Sequence, residues 1–329
     1  MDNEPRVILV TGGCGFIGGT YIRLLAKKYP STLIVNIDCL TYAAHPESLN
    51  ALVESDKYRH YQVDIRDCNA VSQIFNLHDP DYVVHLAAES HVDHSITGPE
   101  IFVQTNIEGT IVLLEAVRTL CSGLKRFVMV STDEVYGSLA LDDPPSSEED
   151  ILYPRSPYSA SKAGAEHLAL SYLETYGLPV TITRGSNNIG PWQHPEKVLP
   201  VFIIKALRGE NLPVYGNGKA VRDYVHVEDH CIGIETVREF GEIGEIYNVG
   251  GDNQTDGIQL AEAVLAHIAT ASKIEFVTDR PGHDMRYDLS CEKIENTLGW
   301  KRSFDFNTAL THTIEWYKAS KNWWDPIAP

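Results

Sequence analysis

"VILVTGGCGFIGG", residues 7–19, is the stretch whose reading decides the fold. An apolar, β-branched run enters a cluster of glycines and leaves it as an apolar helical pattern, which reads as strand, turn and helix. Gly12, Gly15 and Gly18 fit G-x-x-G-x-x-G, and Gly13, Gly15 and Gly18 also fit G-x-G-x-x-G. Glycine at such positions permits a tight turn, close approach of backbone N–H groups to a pyrophosphate, and close packing of helix on strand. The match alone is weak, but the strand–turn–helix context is the required one. The next strand candidate, "LIVNID" (33–38), ends at Asp38, twenty residues beyond Gly18. A carboxylate there accepts both ribose hydroxyls and repels a 2′-phosphate, so NAD is favoured over NADP.

Outward from this unit the alternation continues. "HYQVDI" (60–65), "YVVHLAA" (82–88), "RFVMVST" (126–132) and "PVTITR" (179–184) read as strands, with helical spacing over 16–29, 67–77, 99–121 and 157–177. Near-continuous apolar strands separated by helices predict an α/β, doubly wound parallel sheet covered on both faces. At the end of the third strand, Asp64 and Ile65 are placed to flank an adenine. After Arg184 the texture changes to the turn-rich "GSNNIGPWQHPEKVLP", and a smaller, partly interleaved C-terminal substrate domain is expected over 185–329. The first domain, 1–184, is expected to recover 225–247, because "VHVEDHCIGIETV" again reads as strand and helix.

Bulk properties narrow the function. The chain has 329 residues, 43% hydrophobic and 22% charged, with a formal charge of −18. That charge argues against nucleic acid and anionic membranes as partners, though a local basic pocket can still take an anionic small molecule. No run approaches the roughly 18–20 apolar residues of a membrane span. Six scattered cysteines without a C-x-x-C pair, and an N-terminal "MDNEPRVILV" without the basic and long apolar regions of a signal peptide, lead us to expect a cytoplasmic protein.

The strand 126–132 ends unusually. "STDEVYG" (131–137) sets a hydroxyl, Thr132, and two adjacent carboxylates, Asp133 and Glu134, where doubly wound sheets hold their ligands. Adjacent carboxylates repel, which points to proton chemistry. "SPYSASKAGAEH" (156–167) puts Tyr158 and Lys162 on one helix face, where an ammonium beside a phenol is expected to lower the tyrosine pKa. Hydroxyl, phenol and ammonium form a set for moving hydride and proton at a carbinol carbon.

Y-x-x-x-K, T-G-G-x-G-x-x-G and the upstream Thr resemble the extended short-chain dehydrogenase/reductase superfamily, of Rossmann-type fold. Within it, "LTYAAHPESL", "HLAAESHVDHSI", "STDEVYG", "PYSASKAGAEH", "GPWQHPEKVLP", "VYGNG", "VRDY", "YNVGG" and "RPGHDMRY" are similar to nucleotide-sugar 4,6-dehydratases of the dTDP-glucose type, over about residues 6–300. The resemblance implies that Tyr158 takes the sugar O4 proton while C4 hydride passes to NAD⁺. Glu134 then removes the C5 hydrogen, Asp133 protonates the departing O6 hydroxyl, and hydride returns to C6. The chemistry requires Asp133 to be protonated near neutrality. The cofactor set is expected to be Gly12, Gly15, Phe16, Ile17, Gly18, Asp38, Leu40, Thr41, Asp64, Ile65, Leu86, Ala87 and Ala88, with Tyr158 and Lys162. By resemblance Ser90 and His91 lie close to the hexose, with Thr132 and Asn187 also on the substrate. Asn188, Arg222 and Arg280 take the diphosphate, Lys197, Val198, Pro213 and Tyr215 form the base pocket, and Asn248 and His283 lie near the nucleoside or phosphate.

Several positions depart from the family pattern. Gly185 stands for a usual Cys, Ile189 for a usual Tyr, His94 for a usual Arg, and "DYVHVED" where a Trp is common. These leave UDP-, CDP- and GDP-glucose open beside dTDP-glucose. A UDP-hexose 4-epimerase or decarboxylase is the alternative enzyme, which the Asp133–Glu134 pair argues against. A silent NAD-binding module is argued against by intact Tyr158 and Lys162. "HVDH" offers His91, Asp93 and His94 to zinc, but lacks a convincing third ligand, so no metal is expected. Outward apolar residues on 99–121 and 157–177 (Ile101, Val103, Ile107, Ile111, Leu114, Ala160, Ala163, Leu168) lead us to expect a homodimer through a four-helix bundle.

Overall fold

The structure, a computed structural model, describes residues 4–279 and 282–328. Its strands, in chain order, are β1 (Val7–Thr11), β2 (Leu33–Asp38), β3 (Tyr58–Gln62), β4 (Tyr82–His85), β5 (Arg126–Thr132), β6 (Val180–Gly185), β7 (Asn187–Ile189), β8 (Leu212–Tyr215), β9 (Val221–His226), β10 (Ile246–Val249), β11 (Gln254–Asp256) and β12 (Ile274–Val277). The main sheet runs β10-β6-β5-β4-β1-β2-β3, with every neighbouring pair parallel. Apart from the added β10, this is the doubly wound dinucleotide-binding order, which reverses between β1 and β4. That reversal opens the crevice in which ligands bind.

Buried aliphatic residues cover both faces of the sheet. One core packs Leu9, Val35, Phe75, Leu113, Phe127 and Ile182 beneath helices Cys68–His78, Gly109–Leu120 and Pro157–Tyr176. The opposite core packs Ile8, Val10, Tyr21, Val128 and Ile234 beneath Phe16–Lys28 and Val227–Phe240. A third core, with Ile189, Phe202, Leu260, Leu310 and Trp324, belongs to the C-terminal part. There β9 pairs with β7 and β11, and β8 with β12.

Two elements differ from the sequence pattern. β3 starts at Tyr58 rather than 60, because Ile34 pairs with Tyr58, and it leaves the sheet after Gln62. The expected helix 99–121 is interrupted by a wide π-type turn, Val103–Glu108, ahead of Gly109–Leu120. The turn holds Asn106 inside, where its Oδ1 accepts from the Glu89 N–H at 2.9 Å and its amide donates to Glu89 O and Ser161 Oγ at 3.0 and 2.8 Å. Widened turns of this kind gather at functional sites, and this one fixes the segment leading to Ser90 and His91.

Candidate active site

At the carboxyl end of β1 the chain turns through Gly12, whose φ is +72°. A Cβ at Gly12 would stand 2.6 Å from the Ala87 nitrogen, and one at Gly18 would stand 2.1 Å from Gly12 O. Only glycine lets the turn approach β4's exit and the helix approach the turn. The second strand delivers Asp38, whose Oδ2 accepts from the Cys14 N–H at 2.9 Å and Oδ1 from the Leu40 N–H at 2.8 Å. Leu40 reaches that bond from a left-handed φ of 57°. It therefore orients the carboxylate and packs on the core under Phe16–Lys28 instead of lining the cavity. Arg66 grips Asp64 through Nε and Nη2 (3.0 and 2.6 Å), which draws the Asp64 carboxyl below its ordinary pKa.

At the end of β5, Thr132 caps the short turn Asp133–Tyr136, its Oγ1 accepting from the Glu134 N–H at 3.3 Å. Gly137 ends that turn at φ 85°, where a Cβ would meet Tyr153 O at 2.3 Å. Asp133 is 3% exposed. Its Oδ1 takes a hydrogen bond from Thr132 Oγ1 at 3.2 Å, and its buried Oδ2 has no hydrogen-bond partner among the described residues. Burial, then the charges of Glu134 and Asp223, push the Asp133 carboxyl well above its ordinary pKa. An acid in such a place keeps its proton when its surroundings would ionise it in water.

Helix Pro157–Tyr176 opens with a capping box between Ser156 and Ser159 and with proline at its first position. That start sets Tyr158 and Lys162 one turn apart, both buried and both facing the cavity. Lys162 Nζ donates to Val130 O at 2.8 Å, and burial lowers its pKa to about 8 against the opposing pull of Glu166. The expected lowering of the Tyr158 pKa is not found. Burial and the Glu134 charge raise it, only partly offset by a hydrogen bond with Thr132. Depth is the larger influence, and the carboxylates Glu134 and Asp133 add to it.

These ends meet in one cavity of about 660 Å³. Of the cofactor set, Gly12, Gly15, Phe16, Ile17, Gly18 and Asp38 line it, as do Thr41, Asp64, Ile65, Leu86, Ala87 and Ala88. So do Ser90, His91, Asn187, Asn188, Lys197 and Val198, and across from them Pro213, Tyr215, Arg222 and His283. Arg222 is held by Val221 O and Asp284 O (2.7 and 3.0 Å), its guanidinium 4.6 Å from the Tyr287 ring centre. Asn248 is not brought there. It is wholly buried, accepting from Tyr136 Oη at 2.8 Å and donating to Ser146 O and Ser290 O. Arg280 lies outside the described residues.

The sequence reading missed His230 and Asp223. His230, in the first turn of Val227–Phe240, lines the cavity, and its Nδ1 lies 3.0 Å from Asn188 Oδ1. A Cβ at Gly185 would stand 2.5 Å from this imidazole, which accounts for glycine at that position. Burial lowers the His230 pKa to about 4, so the ring is neutral. Asp223 is wholly buried on β9 and reaches Asp133 by its field. The signal for His230 was the returning helix itself, whose first turn must face the strand ends. Ile189, another of the unusual positions, is core.

Residues 9–313 match the family model described as GDP-mannose 4,6 dehydratase. The chain is 45% identical to the dTDP-glucose 4,6-dehydratase of Shigella flexneri, over 96% of this chain and 94% of that one. It superposes on DesIV, the dTDP-glucose 4,6-dehydratase of Streptomyces venezuelae solved with NAD, at a TM-score of 0.92 and 43% identity, covering 98% and 99% of the two chains. The UDP-glucose 4-epimerase of Thermotoga maritima, solved with UDP-glucose, gives 0.89 at 31% identity over 96% and 99%. Shape barely separates dehydratase from epimerase; identity separates them clearly.

Proposed function

This chain belongs to the dTDP-glucose 4,6-dehydratase family, and on that premise we propose that it is an NAD-dependent hydro-lyase forming a 4-keto-6-deoxy sugar nucleotide from dTDP-glucose. The observation that carries the reading is Asp133, a buried carboxyl whose pKa is raised by burial and by the neighbouring Glu134, in the same cavity as Tyr158 and Lys162. A hydride-transfer set alone would serve an epimerase; loss of water needs an acid and a base besides.

The glycine turn at Gly12 and Gly18, too close for any side chain, and the Asp38 carboxylate fit a dinucleotide with free ribose hydroxyls. NAD, when bound, supplies the hydride acceptor for C4, the donor for C6, and a positive charge opposing the carboxylates' hold on the Tyr158 proton. Thr132 and Tyr158 orient the sugar O4, and Tyr158 takes its proton as the alcohol is oxidised. Lys162 favours the phenolate that results. The new ketone acidifies C5, where Glu134 removes the hydrogen. Asp133 protonates O6 as it leaves as water, and a proton later returns to C5. Arg222 and Asn188, with Arg280, hold the diphosphate. Lys197, Val198, Pro213 and Tyr215 surround the base, Ser90 and His91 face the hexose, and His283 lies by the nucleoside or phosphate.

We also propose that 1–184 with 225–247 serves the dinucleotide and 185–329 the nucleotide sugar. Helix Val227–Phe240, packed on the main sheet, and β10, which joins it and runs on to Val249, support this division, whereas the strand expected from 225 is the end of β9 and pairs with β7 in the smaller sheet. A two-fold four-helix bundle is supported by exposed Ile101, Val103 and Ala160 and half-buried Ile107, Ile111 and Leu168; Leu114 and Ala163 turn inward instead. Light scattering at micromolar concentration should give a dimer mass. The six unpaired cysteines are consistent with the cytoplasm, and no helix among the described residues is long and apolar enough to cross a membrane.

The deciding experiment is turnover of dTDP-glucose and its UDP, CDP and GDP counterparts, read by mass spectrometry. A product lighter by one water is expected with dTDP-glucose. An isobaric product would make the enzyme an epimerase.

A further inference from the structure

The sequence offers His91 and His94 to a metal without a third ligand; the fold supplies one from a hundred residues away. His91 caps the short helix Val92–Thr97, and His94 follows one turn later, the two rings stacked at 4.2 Å. Glu196, in the turn before helix Val198–Arg208, brings its Oε2 to 3.8 Å from His91 Nε2. One nitrogen of each imidazole and one carboxylate oxygen of Glu196 lie within 4.8 Å of one another. Tyr42 braces the group from outside, donating to Glu196 Oε1 at 3.1 Å with its oxygen 3.3 Å from His94 Nδ1. His194 stands 3.8 Å from Glu196 Oε1 and stacks on His45 at 5.3 Å. Lys197 Nζ lies 3.8 Å from Glu196 Oε1, the oxygen that Tyr42 also uses.

We propose that His91, His94 and Glu196 form a site for one divalent transition ion of the zinc class. Two imidazoles and one carboxylate are the donors of a zinc site that keeps a position open to water. Bonds of about 2.0–2.1 Å imply ligand atoms roughly 3.3 Å apart, so the set must contract by about 1.5 Å. His94 is exposed, and Tyr42 and Lys197 share Oε1 of Glu196, which leaves Oε2 on the His91 side. Because His91, His194 and Glu196 line the cavity, the ion would clamp 91–94 to 194–196 across its wall. Occupancy should therefore slow nucleotide-sugar exchange.

The test does not depend on the reaction. The tag-free, chelator-stripped protein is titrated with Zn²⁺ by calorimetry and with Co²⁺ by visible absorbance. One ion per chain is expected, with Co²⁺ bands of low coordination number. His94→Arg and Glu196→Gln should each weaken binding by at least the roughly 10–100-fold that loss of an outer partner costs. Unchanged melting of these variants without metal would exclude unfolding as the cause. His312→Gln, which disturbs the separate His226–His312 pair (3.0 Å), should leave the site intact. No binding by the parent chain, equal binding by His94→Arg, or loss only in His312→Gln would overturn the site.

Discussion

Asp133→Asn separates the acid from the space it fills. The amide keeps the size of the carboxyl and an oxygen for the Thr132 hydroxyl, now 3.2 Å away, but has no carboxylic proton for O6. Oxidation at C4 draws on Thr132, Tyr158 and Lys162 and should survive. Elimination should slow by roughly 10²–10⁴-fold, or about 2.7–5.5 kcal/mol of barrier. Rapid mixing with substrate should then show reduced cofactor accumulating by near-ultraviolet absorbance while product lags. The same change has a consequence for stability. The folded chain holds the Asp133 proton well above the ordinary carboxyl value of 3.8, so raising the pH through this interval costs the folded state. Each pH unit of that interval is worth about 1.4 kcal/mol. Denaturation should find Asp133→Asn more stable than the parent at neutral pH, with the gap closing as pH falls towards 3.8. A gap independent of pH would refute the account of the proton, and full product formation without accumulated reduced cofactor would refute the role of the acid.

Glu134→Gln should also stall after oxidation, but with exchange of the C5 hydrogen into heavy water suppressed; free exchange would remove Glu134 as the base. Asp38→Ala should narrow the preference for NAD⁺ over NADP⁺ in direct binding, and equal binding of both by the parent chain would overturn the ribose assignment. The rate should fall as pH rises through about 8, where Lys162 loses its charge, and Glu166→Gln should move that limb to lower pH. Glu166→Gln should also cost about 3–5 kcal/mol in denaturation, since it strips the buried Arg184 guanidinium of a partner at 2.7 Å.

What was legible in the sequence was whatever is written locally. The glycine turn, Asp38 at the end of β2, the carboxylates after β5 and the Tyr158–Lys162 spacing each combine a short motif with a strand end, and all of them line the cavity. What escaped depends on partners far along the chain. Asn248 sits beside a nucleotide-sugar motif, yet four hydrogen-bonding groups from elsewhere consume it. Leu40 looks like a contact residue, but its N–H is the functional part. The raised Tyr158 pKa reflects depth and neighbouring carboxylates, neither of which a Y-x-x-x-K spacing encodes. The third ligand for His91 and His94 lies beyond any local window.

The position of Asp133 between the two halves of the molecule gives its proton a further dependence. β9 contributes two opposed influences, with Asp223 raising the Asp133 pKa and Arg222 lowering it. On the proposed reading, Arg222 also receives the substrate diphosphate. A phosphate paired with that guanidinium would cancel much of its field at Asp133, while Asp223, tied to the Gly251 and Asn253 N–H groups at 2.7 Å, stays in place. Binding substrate should therefore tighten Asp133's hold on its proton before the chemistry needs it. Arg222→Gln would mimic the cancelled charge in the free enzyme, raising the Asp133 pKa while weakening substrate affinity. Difference infrared spectra of the Asp133 carboxylic carbonyl, taken against pH, would read the shift directly. A titration that ignores both substrate and Arg222→Gln would show that β9 has no electrical hold on the acid.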